Sequence, residues 1–278
     1  MDDGGGAPDV SGALDVGGAG ADLDGGPLDA RSAPDAALPD AALPDAALPS
    51  ADLDGDGLDD ALELKLAADH LPFLSLDPTD GCPRGALLFR ARPHPADPSL
   101  VFIVYVHLYE KDCGASGHVG DDEVFAVTVD PAKPPPLGIV AMKAIAHQGA
   151  FPCEVVTACG RCPGQAACET APGGAPVVYS SRNKHGSYVS LNRCATHLCF
   201  DSCTLAATPA RPALLNAGEP ARHLTEDLTA SGLITAAAGW TEPSLLNFNP
   251  WDPKVTFGKA GKVASDLVDP AFDTAACR

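Results

Sequence analysis

The sequence predicts a mainly β, α+β-class domain with short peripheral helices and disulfide-tied loops, preceded by a disordered acidic linker. Three observations predict it. Short runs rich in Val, Ile, Phe and Tyr are bounded by Gly, Pro and Asp clusters. All ten cysteines lie from Cys82 onward. No aromatic residue occurs before Phe73, so the first 72 residues have little to bury against the entropy of ordering.

The chain has 278 residues and a net charge of −19. Most of that charge is local: residues 1–63 hold 15 Asp and one Glu against a single base, Arg31. The remainder is close to balanced, with 21 acids and 17 bases. Such a chain lacks the basic stripe that displaces counterions from phosphates, which excludes a nucleic-acid binder. No apolar run reaches membrane-spanning length; the longest, Leu100–Leu108, is the length of a strand.

Residues 1–50 form the linker. Pro34-Asp35-Ala36-Ala37-Leu38 recurs from Pro39 and again from Pro44. A five-residue period opened by proline opposes a helix, because each ring removes a donor and clashes with the preceding turn. It predicts an extended, self-repelling spacer. Residues 51–72 form a second region, and residues 73–278 the β-rich domain.

Within 51–72, Asp52-Leu53-Asp54-Gly55-Asp56-Gly57-Leu58-Asp59-Asp60-Ala61-Leu62-Glu63 matches the twelve-residue EF-hand loop. Asp52, Asp54 and Asp56 stand at positions 1, 3 and 5, and Gly57 permits the turn at position 6. The Leu58 carbonyl, Asp60 and a bidentate Glu63 complete an all-oxygen set suited to Ca²⁺. A helix is expected over Leu62–Leu71, but Pro-bounded Ala47–Ser50 replaces an entering helix. The pattern resembles the single-helix calcium loops of dockerin-like and thrombospondin type 3-like repeats in bacterial extracellular proteins. Its expected role is to staple the linker to the domain.

Strands are expected over Ala86–Arg92, Val101–Tyr109, Glu123–Val129, Ile139–Ala146 and Val177–Ser180. Val124, Ala126 and Thr128 alternate with Phe125, Val127 and Val129, so both faces of that strand are expected to be buried. Arg222–Ala238 predicts one or two short helices. Cys153–Cys203 reads as a disulfide-tied loop region around the Val177 strand.

Ten cysteines point to an oxidising compartment. The chain opens Met-Asp-Asp-Gly-Gly-Gly, without the basic and apolar regions of an export signal. An extracellular or surface-tethered, lipoprotein-like location is expected, with the signal removed or outside the given sequence; the alternative is a cytosolic protein with metal-bound thiols. Cys159 and Cys162 make the one C-x2-C pair, and a zinc site wants a second. Disulfides are therefore expected for Cys82, Cys113, Cys153, Cys159, Cys162, Cys168, Cys194, Cys199, Cys203 and Cys277; Cys82–Cys113 is a plausible pair. G-x-S-x-G, P-loop and H-E-x-x-H motifs are absent.

A second constellation is Gly117-His118-Val119-Gly120-Asp121-Asp122-Glu123, just before a predicted strand. His118, Asp121 and Glu123 can converge on one divalent ion, and Asp112 lies six residues upstream. From the residues alone, a polar turn with solvated acids is the favoured reading. The segment resembles the G-H-R-H-D-W-E heptapeptide of the necrosis- and ethylene-inducing-like cytolysin family. Gly117, His118, Asp121 and Glu123 match; Val119, Gly120 and Asp122 replace Arg, His and Trp. Lys111-Asp112 resembles the pair preceding that motif. Ser181-Arg182-Asn183-Lys184-His185-Gly186-Ser187-Tyr188 is similar to the family's S-x-H-G-x-Y stretch. Phe257-Gly258-Lys259-Ala260, Asp269 and Phe272 resemble its C-terminal pattern.

The resemblance implies a central β-sandwich flanked by helices. It implies secretion, a divalent ion (Mg²⁺, Mn²⁺ or Ca²⁺) held by Asp112, His118, Asp121 and Glu123, and recognition of a membrane glycolipid or cell-surface glycan. His185 would then sit beside the ion as an orienting group or general base, with Tyr188 nearby, or else on a surface loop. The reading leans away from an enzyme. Its alternatives are a metal-assisted hydrolase built on the same cluster and a purely structural calcium-binding surface protein.

Overall fold

A computed structural model describes residues 52, 55–82, 84–114, 117, 119–148, 150, 152–196, 199–216 and 273–276. In chain order the elements are α1 (Asp60–Asp69), β1 (Phe73–Ser75), β2 (Arg84–His94), β3 (Asp97–Lys111), β4 (Val119–Val129), β5 (Ile139–Ala146), β6 (Val155–Gly160), β7 (Val177–Ser180), β8 (Ser187–Tyr188), α2 (Leu191–Ala195) and β9 (Leu214–Asn216). Strands β2 to β6 pair antiparallel in sequence order, and β9 runs parallel to β2 at one edge. The second sheet is β1-β7-β8, with β1 parallel to β7. The two sheets form the expected β-sandwich.

The apolar alternation decides which residues meet between the sheets. Leu87, Phe89, Ile103, Tyr105, Phe125, Val127, Met142 and Ala144 point inward. They pack with Leu66 and Ala67 of α1, Leu74 of β1, Val178 of β7 and Val189. Each of the Leu, Ile, Val, Phe and Met side chains among them contributes about 1.5–3 kcal/mol by leaving water. Tyr105 and Phe125 face each other across the β3–β4 ladder and stack with ring centres 4.9 Å apart. The Tyr105 hydroxyl donates to the Ala67 carbonyl at 2.8 Å, which satisfies its one polar atom.

Both faces of the long sheet are buried in its middle, as the β4 pattern requires. Leu88, Phe102, Val104, Val106, Leu108, Val124 and Ala126 are no more than 2% exposed on the outer face. Residues near the C-terminus lie against it. The His94 Nε2 and the Thr274 carbonyl are 2.9 Å apart, and the Thr128 and Thr274 hydroxyls share a hydrogen bond.

Helix α1 begins at Asp60 rather than Leu62. Asp59 supplies the cap, its carboxylate accepting from the Ala61 and Leu62 N–H groups at 3.0 and 3.2 Å. Those donors have no partner inside the helix, so the cap fixes the start.

Four bridges join Cys82–Cys113, Cys153–Cys199, Cys159–Cys168 and Cys194–Cys203, and Cys162 is also disulfide-bonded. The Cys82–Cys113 pairing is the one the sequence suggested. Cys153–Cys203 is disulfide-tied around β7, the expected Val177 strand, but it also holds β6, β8 and α2, which the loop reading left out. Cys159 sits within β6 and bonds Cys168, so the C-x2-C pair does not act as a metal clip. No described helix is long and apolar enough to cross a membrane. The linker over 1–50, Asp54, His118, Arg222–Ala238, Phe257–Ala260, Asp269, Phe272 and Cys277 lie outside the described residues.

Candidate metal centre

Strand β4 starts at Val119, earlier than expected, so the acids of the second constellation are strand residues. Asp121 pairs with Tyr109 and Glu123 with His107 across the β3–β4 ladder. By the two-residue period these four share the inner face with Tyr105 and Phe125. The layer between the sheets thus changes from apolar to polar towards this end. Asp121 and Glu123 are 7% and 8% exposed, which overturns the reading of a turn with solvated acids.

His185 enters from the turn between β7 and β8. It is fully buried, so it is not a surface-loop residue. Its Nδ1 lies 2.7 Å from Asp121 Oδ2, and its Nε2 lies 3.3 Å from Asp80 Oδ2. The ring stacks on Tyr109 with centres 3.8 Å apart and planes within 3°. Hydrogen bonds fix the surrounding backbone. The Ser187 N–H donates to Glu123 Oε2 at 3.2 Å, and the Ser180 hydroxyl donates to the His185 carbonyl at 3.1 Å. The Tyr109 hydroxyl sits between His107 Nδ1 at 3.0 Å and Ser180 Oγ at 3.1 Å.

Two carboxylates therefore flank one imidazole. A neutral ring donates to only one of them. If Nδ1 donates to Asp121, the Nε2 lone pair faces a carboxylate oxygen, and a cation between them would relieve the repulsion. A cation in that position would take His185 Nε2 and Asp80 Oδ2, while Asp121 meets the ring at the opposite nitrogen, Nδ1.

The other predicted residues are placed differently. Asp112 is half-buried, and its Oδ1 accepts from the Gly114 N–H at 2.6 Å. The Tyr188 hydroxyl donates to Asp201 Oδ2, away from His185. Asp80, His107, Tyr109 and Ser180 belong to the site and were not predicted. Tyr105, His107 and Tyr109 alternate with Val106 and Leu108 along β3, which is a readable signal for two of them. Asp80, in a Thr-Asp-Gly turn, carries none.

A second polar network adjoins this one through Gly186. His147 Nε2 and the Tyr188 hydroxyl both reach Asp201 Oδ2, the former at 2.7 Å. A Cβ on Gly186 would stand 3.1 Å from Ala146 Cβ, 3.2 Å from Asp201 Oδ2 and 3.4 Å from His147 Nε2, a tight fit that asks these neighbours to give by a few tenths of an ångström. Burial opposes ionisation of Asp201, but the hydrogen bonds from His147 and Tyr188 outweigh it and hold its carboxyl below the usual carboxylate range. Burial, and then Asp201, push the Tyr188 hydroxyl well up.

At the calcium-type loop, Asp52 accepts from the N–H groups of Gly55, Asp56 and Gly57 at 2.7, 3.1 and 3.0 Å. Gly57 has φ +97°, the left-handed backbone that position 6 was expected to need. Asp56 Oδ1 accepts from the Leu58 N–H at 2.8 Å. Asp60 opens α1. Glu63 is 1% exposed, and Asn216 Nδ2 donates to its Oε2 at 2.6 Å.

No family model and no curated protein matches the chain. Solved structures do. One described as a toxin fold for microbial attack and plant defence shares 16% identity, with 55% of this chain and 72% of that one covered, at a TM-score of 0.35. NLPPya in complex with mannosamine shares 15%, covering 73% and 88%, at 0.37. Necrosis and Ethylene inducing Protein 2, from the causal agent of cocoa's Witches Broom disease, shares 14%, covering 61% and 82%, at 0.33. With all three scores below 0.5, the chemistry of this chain rests on its own residues.

Proposed function

We propose that this protein is an extracellular, divalent-metal-dependent module that binds a glycan or glycolipid headgroup at the polar end of its sandwich. The observation that carries the reading is the burial of Asp121, Glu123 and His185 together beside Tyr109. Buried carboxylates are costly without a cation or donors, and an ion held there with open positions would take sugar hydroxyls. The motif resemblance supports His118 as a further ligand and a cytolysin-like role. The disulfides support an oxidising compartment. The 52–63 loop, with Asp52, Asp54, Asp56, Leu58, Asp60 and Glu63, would hold a separate structural Ca²⁺.

The test is Mn²⁺ calorimetry combined with binding to a glycan array and to liposomes carrying a glycosylated sphingolipid. Binding that needs Mn²⁺ and is lost in chelator and in Glu123→Gln supports the reading. A protein that takes up no Mn²⁺ at this cluster overturns it.

A second reading, metal-assisted hydrolysis, is favoured by one observation. The His147 side chain is 15% exposed and is held by the Asp201 carboxylate, the orientation that suits a general base. His185 is too deeply buried for that task. Metal-dependent turnover of a chromogenic ester, lost in His147→Gln, would favour this reading over pure binding.

A further inference from the structure

The metal-ligating atoms of Asp80, Cys82 and His185 all lie within 4.8 Å of one another. Asp80 and His185 belong to different parts of the chain, and each is held in place. Asp80 Oδ1 accepts from the Cys82 N–H at 2.9 Å, and its Oδ2 accepts from the Asn183 N–H at 3.2 Å. The His185 ring is fixed by Asp121 on Nδ1 and by Tyr109 on its face. Its Nε2 is fully buried, makes no hydrogen bond, and faces Asp80. One donor is blocked: the Cys82 sulfur is bonded to Cys113. A disulfide sulfur is neutral, whereas the thiolate is the metal ligand.

We infer that Asp80, Cys82 and His185 form a thiol-gated metal site, which fills when the Cys82–Cys113 bridge is reduced. A thiol reductant gives two electrons and two protons to the bridge. The S–S bond breaks, Cys82 and Cys113 become thiols, and the reductant leaves as its own disulfide. Metal binding then displaces the Cys82 thiol proton to solvent, leaving one thiolate sulfur, one imidazole nitrogen and one carboxylate oxygen on the ion. That mixed donor set suits Zn²⁺, with a fourth position for water. Donor atoms around a tetrahedral zinc stand roughly 3.5 Å apart, so closure asks for about an ångström of side-chain movement. Asp121 supplies the carboxylate behind the ligating histidine, which fixes its tautomer and raises its basicity. The Cys113 N–H donates to the Asn183 carbonyl at 2.8 Å, an attachment that does not depend on the bridge. The site differs from the oxygen-ligand ion proposed above, although Asp121 and His185 serve both: it takes a thiolate, and only in the reduced protein.

Cobalt reads the thiolate directly. Cys113→Ala leaves Cys82 as a permanent thiol. With Co²⁺ it is expected to develop a near-ultraviolet sulfur-to-cobalt charge-transfer band at one equivalent. The oxidised parent protein is expected to show none, and adding His185→Gln to Cys113→Ala is expected to abolish the band. A folded Cys113→Ala protein, judged by its far-ultraviolet circular dichroism, that shows no band overturns the inference. So does a band that survives His185→Gln. If Cys113→Ala does not fold, the parent protein is opened with a limiting phosphine and alkylated with and without Zn²⁺. Zinc is expected to slow modification of Cys82 at least tenfold relative to Cys113, and equal slowing of both overturns the site.

Discussion

Asp121 Oδ2 and His185 Nδ1 meet at 2.7 Å although 64 residues separate them in the chain. The contact joins β4 of the long sheet to the β7–β8 turn of the short one, at the polar end of the layer between them. It gives one carboxylate two tasks, as candidate ligand and as the group that sets the imidazole. Asp121→Asn keeps the shape and removes the charge. Carboxylates that back metal ligands typically matter 10–100-fold in affinity. The variant is expected to bind Mn²⁺ at least tenfold more weakly in calorimetry, with its melting temperature little changed. Unchanged Mn²⁺ affinity would remove Asp121 from the centre.

The 52–63 loop makes a separate prediction. Asp52 already gathers three backbone N–H groups, so the loop has its turn in place before any ion arrives. An ion that binds the folded chain alone stabilises it by about 2.7 kcal/mol at a hundred times its dissociation constant. Ca²⁺ is expected to raise the melting temperature by several degrees, and chelator to lower it. Asp56→Ala is expected to erase that difference while sparing Mn²⁺ uptake at Asp121 and Glu123. A melting temperature indifferent to Ca²⁺ would count against the loop as a calcium site.

The strands were legible because apolar alternation is a local signal, and β3, β4, β5 and β7 follow it. The short strands β1, β8 and β9 were not. Two or three residues such as Ser187-Tyr188 carry no period, and partners far along the chain decide their state. The site divides in the same way. Asp121 and Glu123 were readable from their spacing and from a motif. Asp80 was not, because its place beside His185 is set by the packing of two loops about a hundred residues apart. The solvated-turn reading failed because the strand begins at Val119 and carries the acids inward.

Asp201 is a buried carboxylate whose two donors, His147 and Tyr188, hold it ionised. Its folded-state pKa is below the unfolded value, so its contribution to stability is present above that value and fades as pH falls through the folded pKa. Breaking a buried, charge-assisted network costs about 3 kcal/mol. Asp201→Asn is expected to lose about that much in urea denaturation at pH 7. The gap between variant and parent should narrow below about pH 4, once Asp protonates in the unfolded chain. An equal gap at pH 7 and pH 3 would show that Asp201 acts by shape and not by charge.

His70 closes α1 and packs against Gly138. Burial is the largest influence on it and lowers its pKa from 6.5; backbone hydrogen bonds at Leu66 and Lys133 and the charge of Asp69 act the other way. The unfolded chain therefore takes up a proton at a pH where the folded chain does not, and folding stability falls as pH drops below about 6.5. His70→Gln is expected to remove that drop in denaturation measured from pH 7.5 to pH 5. The glycine opposite tests the packing. A Cβ on Gly138 would stand 2.3 Å from His70 Nε2, 2.7 Å from its Cδ2 and 3.0 Å from the Asp130 carbonyl. Overpacking of this kind costs about 1–3 kcal/mol. Gly138→Ala should show that loss in the parent and less of it beside His70→Ala, where only the Asp130 carbonyl still crowds the methyl group. Additive losses in the double variant would place the strain on the backbone rather than on the imidazole.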